Sequence, residues 1–241
     1  MVLTAIDFLN GLFSLIFVSV TIIVGLKIAS KYFKIKNRVF LLVGLGWAGI
    51  CSAWYPSSIS FLLVLITGKG LEPAMYFFVG NVILHFSITL YLIGITDMIY
   101  KEKQKYILGF FIIVGIIYNI YFYYYLFTDP SVIGELEGYF DVTYVRIVSI
   151  YLIFDMAMIL IFTIALALQS LKSDEPEVKW KGKILIPAAL CYLLGALFDS
   201  SLTLTEITLI ITRFILISSS ILFYLAYMMP EFIKKRLKKV D

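Results

Sequence analysis

The segment 205–224, TEITLIITRFILISSSILFY, is twenty residues long and carries only two charged side chains, Glu206 and Arg213. A run of about 20 mostly apolar residues is long enough to cross the hydrocarbon core of a bilayer as a helix. The segment therefore predicts a membrane-spanning helix. Arg213 lies about two turns inside this helix, where a charged side chain is costly and rare. The partner of Arg213 is therefore the first question that the sequence raises.

Composition places the whole chain in the same class as this segment. Of its 241 residues, 61% are hydrophobic and 15% are charged, against about half and about a quarter in soluble domains. Apolar runs of spanning length occur seven times, at residues 5–29, 39–66, 73–98, 106–128, 143–170, 183–203 and 205–229. The predicted fold is therefore an all-α bundle of seven transmembrane helices over residues 1–229, followed by a short basic tail at 230–241.

The distribution of basic residues predicts how this bundle is oriented. Alternate loops hold 17 of the 20 Lys and Arg residues, at 27–38, 101–105, 172–183 and 234–239. The other loops are acidic, and the longest of them is 129–141. Because basic loops stay in the cytoplasm, we predict an outside N-terminus and a cytoplasmic C-terminus in a multi-pass protein of the cell membrane. We also expect the basic tail to contact anionic lipid headgroups.

The sequence lacks the motifs of common enzyme and metal sites. It has one histidine, His85, and two cysteines, Cys51 and Cys191, which fall in separate spans and form no CxxC motif. No nucleotide-binding loop, GxSxG elbow or HExxH motif occurs. Asp155 and Asp199 lack the preceding glycine that is expected in an intramembrane aspartyl protease. We therefore predict no catalytic residue, no metal site, no cofactor and no nucleic-acid partner.

Polar residues inside the spans are candidates for an interior site. Lipid cannot satisfy such groups, so they face the interior of the bundle. Helical rise places His85 and Asp155 near mid-membrane. Pro56 cannot donate a backbone hydrogen bond, so it predicts a kink in the second span that can shape a cavity wall. The candidate ligand-binding residues are Trp54, Asn81, His85, Asp155 and Arg213.

Two interpretations of Arg213 are open at this stage. In one, Arg213 pairs with Asp155 inside the bundle, and each charge offsets part of the desolvation of the other. In the other, the arginine extends outward toward the interface and Glu206. A separate, local ion pair is expected between Asp97 and Lys101, which lie four residues apart on one helix.

The final segment, GALFDSSLTLTEITLIITRFILISSSILFYLAYMMPEF at 195–232, resembles seven-helix sensor modules found at the N-termini of prokaryotic histidine kinases. The similarity extends to size and topology, and the segment covers about a sixth of the chain. It implies a bundle that senses a ligand or the membrane. Since no kinase domain is present in this sequence, it also implies a separate cytoplasmic signalling partner. The outline is rhodopsin-like too, but the last span has no lysine for a retinal Schiff base, and Arg213 cannot form one.

Three functions are compatible with these patterns. The first is a receptor-like or sensory protein with an outward-facing polar pocket, in which Arg213 contacts an anionic or polar ligand and Asp155 is its partner when the pocket is empty. The second is a small transporter or proton pathway that uses a relay of His85 and Asp155. The third is a non-catalytic membrane scaffold whose polar residues only hold helices together.

Small residues predict where helices approach one another closely. Gly44, Gly46, Gly195 and Ala196 lie inside predicted spans, and residues of this size allow helix backbones to come into contact. The same faces permit a homodimer within the lipid bilayer.

Overall fold

The computed structural model of the chain describes residues 3–201, 205–231 and 233. The predicted contact of the basic tail with lipid falls almost wholly on residues outside this set. Within it, the helices are α1 Ala5–Ile35, α2 Arg38–Ile50, α3 Tyr55–Thr67, α4 Pro73–Asn81, α5 Leu84–Ile99, α6 Gln104–Thr128, α7 Arg146–Leu171, α8 Pro176–Ser201 and α9 Glu206–Met228. Two strands, β1 Gly134–Glu137 and β2 Asp141–Tyr144, lie between α6 and α7.

The seven predicted spans are confirmed as seven helical segments that are long and apolar enough to cross a membrane. Two of them are interrupted, because α2 with α3 forms the second span and α4 with α5 forms the third. The arrangement is that expected of an integral membrane protein with several crossings. We call the end of the bundle that carries the strands the hairpin end, and the other end the lysine-rich end.

Six of the spans form a closed ring. Along this ring α1 packs on α2, α2 on α5, α5 on α7, α7 on α8, α8 on α9, and α9 again on α1. The remaining span, α6, lies outside the ring against α4 and α5, and stacks Tyr118 on Tyr151 of α7 with 3.5 Å between ring centroids. The interior of the ring is therefore lined by every span except the fourth.

The contact of α1 with α2 brings backbone against backbone and depends on glycine. A Cβ atom added to Gly44 would lie 2.4 Å from the backbone nitrogen of Ala29, and one added to Gly25 would lie 2.6 Å from the carbonyl oxygen of Gly44. Gly46 and Gly195 are similarly close to Tyr91 and Leu216. The prediction that Gly44, Gly46 and Gly195 are close-packing points is confirmed, and Gly25 is one that was not predicted. They pack within one chain, so the homodimer stays a prediction.

The break in the second span lies beside Pro56, as predicted. Residues Cys51–Trp54 form a 3-10 turn, and α3 begins at Tyr55, with Pro56 in its first turn. Pro56 has no backbone N–H to donate to the carbonyl of Ser52. That carbonyl accepts instead from the backbone N–H of Tyr55. Because the backbone changes direction here, the Trp54 side chain reaches the interior of the ring. The break in the third span, after Asn81, was not predicted.

An antiparallel hairpin of β1 and β2 covers the ring at its hairpin end. Gly134 pairs with Tyr144 and Glu137 with Asp141, and the turn between them contains Gly138 at a φ of 66°, a conformation that glycine adopts at little cost. Phe140 in this turn is 3% exposed. Its carbonyl oxygen accepts from the hydroxyls of Ser57 and Tyr76, both at 2.9 Å. The hairpin is therefore fixed to two different spans.

At the lysine-rich end, the predicted pair of Asp97 and Lys101 is confirmed. The sequence did not reveal that Arg38 completes it. The Arg38 guanidinium donates to both carboxylate oxygens of Asp97, at 2.7 and 2.9 Å, and Gln104 donates to the same carboxylate at 3.0 Å. This cluster joins α2, α5 and α6 at their lysine-rich ends.

Candidate functional site

A cavity of about 660 Å³ lies inside the ring at its hairpin end. Its walls come from α2, the 3-10 turn, α3, α4, α5, α7, α8 and α9, and from the hairpin. Three of the five candidate residues line it, namely Trp54, Asp155 and Arg213. Pockets that hold small organic ligands span roughly 300–1,000 Å³, so the cavity is large enough for a molecule with an apolar body and a polar group.

Arg213 pairs with Asp199, so neither interpretation made from the sequence is right. The guanidinium is 2% exposed and donates through Nη1 to Oδ2 of Asp199 at 2.8 Å and through Nη2 to Oδ1 of Asn10 at 2.8 Å. Trp54 Nε1 donates to the same Asp199 oxygen at 2.7 Å. Four segments of the chain meet at this cluster, which we call the arginine cluster.

The reason that Asp155 is not the partner of Arg213 is the order of helices in the ring. α9 packs between α8 and α1, whereas α7 packs between α5 and α8. The arginine side chain leans toward the N-terminus of its own helix, and that direction leads to Asp199 near the end of α8. Depth along the membrane could be estimated from the sequence, but the neighbours of each helix could not.

Asp155 is therefore left without a charged partner. It is 2% exposed, and neither carboxylate oxygen has a hydrogen-bond partner among the residues that the structure describes. Leaving a buried polar group unpaired costs about 1–3 kcal/mol, and more when the group is charged. A donor that enters the cavity and reaches Asp155 would remove this cost, so Asp155 is the strongest candidate for a ligand contact.

The other two candidates, Asn81 and His85, lie outside the lining of the cavity. Asn81 bonds weakly to Tyr144 and Tyr118, both at 3.4 Å. The Nδ1 atom of His85 lies 2.5 Å from the hydroxyl of Tyr151. Contrary to the expectation that Asn81 and His85 line this cavity, neither does so, and their role in binding a ligand stays a prediction. The second-span kink, by contrast, brings Trp54 into the pocket as expected.

The sequence analysis missed the two acidic residues that the hairpin brings to the cavity. Glu137 and Asp141 face each other across the strand pair and both line the cavity. The sequence does carry a hairpin pattern here. In ELEGYFDVTY, polar and apolar residues alternate on both sides of a glycine, as in a β-hairpin. The sequence instead predicts a loop up to residue 141 and the fifth span from residue 143, because the long apolar helices dominate the pattern, whereas β2 extends to Tyr144 and α7 begins at Arg146.

Charge in the described lining is strongly unbalanced. The charged side chains that line the cavity are Glu137, Asp141, Asp155, Asp199 and Arg213. The single guanidinium is already engaged by Asp199, so the cavity has an excess of carboxyl groups. Among the residues described, no group of three or more His, Cys, Asp or Glu side chains is placed to hold a metal ion.

Burial raises the pKa of Asp141 above its usual range, and the nearby Asp199 and Glu137 carboxyls raise it further. The backbone N–H of Val142 and the Arg213 charge oppose this shift. The folded hairpin therefore binds a proton at Asp141 more tightly than the unfolded chain does. Its stability is greatest below the ordinary pKa of aspartate and falls as the pH rises through the raised pKa.

The expected loss of hairpin stability with rising pH can be tested by hydrogen exchange. We expect the hairpin amides to be better protected from hydrogen exchange at acidic than at neutral pH, after correction for the intrinsic rate of exchange. Asp141→Asn should remove most of this difference, because Asn cannot titrate. Unchanged pH dependence in Asp141→Asn would show that Asp141 is not the group responsible. Amides of α6, outside the ring, serve as the internal reference.

Comparison of the chain with models of protein families, with curated proteins and with solved structures finds no match in any of the three. The resemblance of the last span to sensor modules therefore stays a prediction. Any argument about function must come from the cavity and the side chains around it, since a fold by itself does not specify an activity.

Proposed function

We propose that this chain is a receptor-like, sensory protein of the cell membrane that binds a small molecule in the cavity at its hairpin end. In this proposal the hairpin end faces outward, the lysine-rich end faces the cytoplasm, and a separate cytoplasmic partner receives the signal. The bias of 17 of 20 basic residues toward one set of loops supports the orientation, because basic loops stay in the cytoplasm.

The observation that carries the proposal is the buried Asp155 on the wall of a cavity of about 660 Å³. A large pocket with a few polar groups directed into it is the usual form of a small-molecule site. Ionisable residues inside a membrane protein are candidates for function because their burial is costly. Asp155 contributes nothing to the hydrogen bonds between helices among the described residues, which argues against a purely structural role for it.

The arginine cluster offers a route by which occupancy could reach the other end of the bundle. Arg213, Asp199, Asn10 and Trp54 join α9, α8, α1 and the 3-10 turn. A ligand beside Asp199 would compete for these bonds and change how α8 packs on α9. It can shift the bundle between two arrangements only by its difference in affinity for them.

The test uses a variant that fills the cavity without removing a charge. Ala196 of α8 lines the cavity, so Ala196→Phe should occlude much of it. Leu190→Phe is the matched control, because Leu190 lies on the same helix and is exposed on its outer surface. We expect native mass spectrometry to detect a retained small molecule on the wild type and on Leu190→Phe, and none on Ala196→Phe.

Equal retention by all three proteins, or no retained molecule on the wild type, would contradict the proposal. A scaffold without a ligand would give the second of these results. Intact helical content in each protein, measured by circular dichroism, ensures that a lost mass reports on the cavity and not on unfolding.

A proton pathway is the second candidate, and one contact favours it. His85 and Tyr151 are joined at 2.5 Å, and Asp155 follows Tyr151 by one turn of α7. These three side chains extend from the outer wall of the ring to the cavity, which corresponds to the relay expected of a transporter. Proton flux into liposomes that is lost in Asp155→Asn would support this function over the receptor.

A further inference from the structure

We infer that the ligand of the cavity is an organic cation with an apolar body, whose ammonium group binds Asp155. This inference rests on the proposed function, since it specifies the chemistry of the same cavity. It also differs from the expectation from the sequence that Arg213 contacts an anionic or polar ligand. Three features of the site support it: the charge balance, the state of the two central charged groups, and the character of the walls.

The charge balance disfavours an anion. Four described carboxyl groups and one guanidinium line the cavity, and the guanidinium is neutralised by Asp199 at 2.8 Å. An anionic ligand would meet the carboxyl groups of the buried Asp155 and the half-buried Asp141, and that of Glu137 at the exposed edge of the cavity. Like charges repel most strongly at the buried groups, where the dielectric constant is low. A cation meets attraction from the same groups.

The hydrogen bonds of Arg213 and Asp155 also favour a cation over an anion. Arg213 donates through Nη1 and Nη2 to protein acceptors and has its Nε–H unpaired among the described residues, but Asp199 already compensates its charge. Asp155 has both oxygens unsatisfied among the described residues, and a carboxylate is an acceptor only. An ammonium group supplies donors and positive charge together, and such charge-assisted hydrogen bonds are about twice as strong as neutral ones.

Around Asp155 the walls are mainly apolar and aromatic. Leu152 and Ile159 lie on either side of Asp155 along α7, and Ile88, Trp54 and Tyr192 face the cavity from other segments. Aliphatic walls suit a hydrocarbon body, and aromatic rings attract a cation at their faces. An inorganic cation would leave these walls without contacts, so the site favours an amine that carries an apolar group.

Asp199, the acidic member of the arginine cluster, extends the site toward the hairpin. Asp199 uses Oδ2 for Arg213 and Trp54, while its Oδ1 has no hydrogen-bond partner among the residues described. A ligand with a further donor could reach this oxygen. Such a ligand would contact α7 through Asp155 and α8 through Asp199. It would therefore influence how these two helices are positioned relative to each other.

The test compares two probes that share one aromatic body and differ in charge. Tryptamine carries an ammonium group, and indole-3-propionate carries a carboxylate. Binding to the protein in lipid nanodiscs is measured by equilibrium dialysis, with empty nanodiscs as the blank for partition into lipid. We expect tryptamine to bind the wild type, and indole-3-propionate to bind at least about tenfold more weakly.

Asp155→Asn keeps the size of the side chain and removes its charge. It should weaken tryptamine binding by about tenfold or more, since the charge-assisted bond is lost. The matched control is Glu102→Gln, which removes one negative charge from an exposed position at the lysine-rich end and should leave binding unchanged. If Asp155→Asn does not fold, the comparison of the two probes on the wild type still decides the inference.

Each other outcome overturns the inference. Preferred binding of indole-3-propionate would mean that the cavity holds a ligand but is selective for anions, so the proposed function would survive. Equal binding of tryptamine to wild type and Asp155→Asn would mean that Asp155 is not the contact. If neither probe binds, the cation inference fails, and the retained mass in native mass spectrometry decides separately on the proposed function.

Discussion

Arg213→Gln is expected to lower the free energy of unfolding by about 3 kcal/mol, the largest loss for any single polar substitution in the bundle. The substitution leaves the carboxylate of Asp199 largely buried beside the cavity without its counter-charge, and an unpaired buried charge costs about 3–5 kcal/mol when its partner is removed. The ion pair is 2.8 Å long, and its two side chains are 3% and 16% exposed. Unfolding by sodium dodecyl sulphate in mixed micelles measures the effect.

The double variant Arg213→Gln with Asp199→Asn is the control for this prediction. It removes both charges and keeps an acceptor for the indole N–H of Trp54, so it should be more stable than Arg213→Gln alone. If the single and double variants unfold at the same detergent fraction, the ion pair is not what stabilises this region. Arg213→Lys, which keeps the charge but cannot reproduce the two-directional bonding to Asp199 and Asn10, should fall between wild type and Arg213→Gln.

The second large effect is expected at the contact between α1 and α2. Gly44→Ala should lower the free energy of unfolding by about 2 kcal/mol, because overpacking a tight interface costs about 1–3 kcal/mol. The added methyl group would lie 2.4 Å from the backbone nitrogen of Ala29, and backbone cannot move aside as a flexible side chain can. The helices must therefore separate along much of their length.

Gly109→Ala is the matched control for this interface. Gly109 lies within α6, and a Cβ atom added there meets no atom within 4 Å among the described residues. Alanine favours a helix over glycine by about 1 kcal/mol, so this variant should be as stable as wild type or slightly more stable. If Gly44→Ala unfolds at the same detergent fraction as Gly109→Ala and wild type, α1 and α2 are not held at backbone contact.

The sequence predicted the spans because hydrophobic length is a local property. Seven apolar runs, the Pro56 interruption and the Asp97–Lys101 pair all depend on residues close together in the chain. The partner of Arg213 does not. It depends on which helices are neighbours in the ring and on how each is rotated about its axis, and the weak amphipathicity of buried spans leaves both undetermined.

The candidate site was predictable in part for the same reason. Trp54, Asp155 and Arg213 were identified as interior polar or aromatic groups, and they do line the cavity. His85 was placed with them because it lies at a similar depth to Asp155, and Asn81 because it shares a helix face with His85, but neither property distinguishes the inner from the outer side of a wall. The acidic hairpin was missed, since its short strands give a much weaker signal than the helices beside them.

The anchoring of the hairpin has a consequence for how its sequence can change over evolutionary time. Both hydroxyl bonds, from Ser57 and Tyr76, end on the backbone oxygen of Phe140, an atom that every amino acid possesses. Substitution of Phe140 would alter the packing of its side chain but not the two hydrogen bonds. The selective constraint on the two anchoring bonds therefore falls on the donors in the helices, whereas position 140 is constrained only by the packing of its buried side chain.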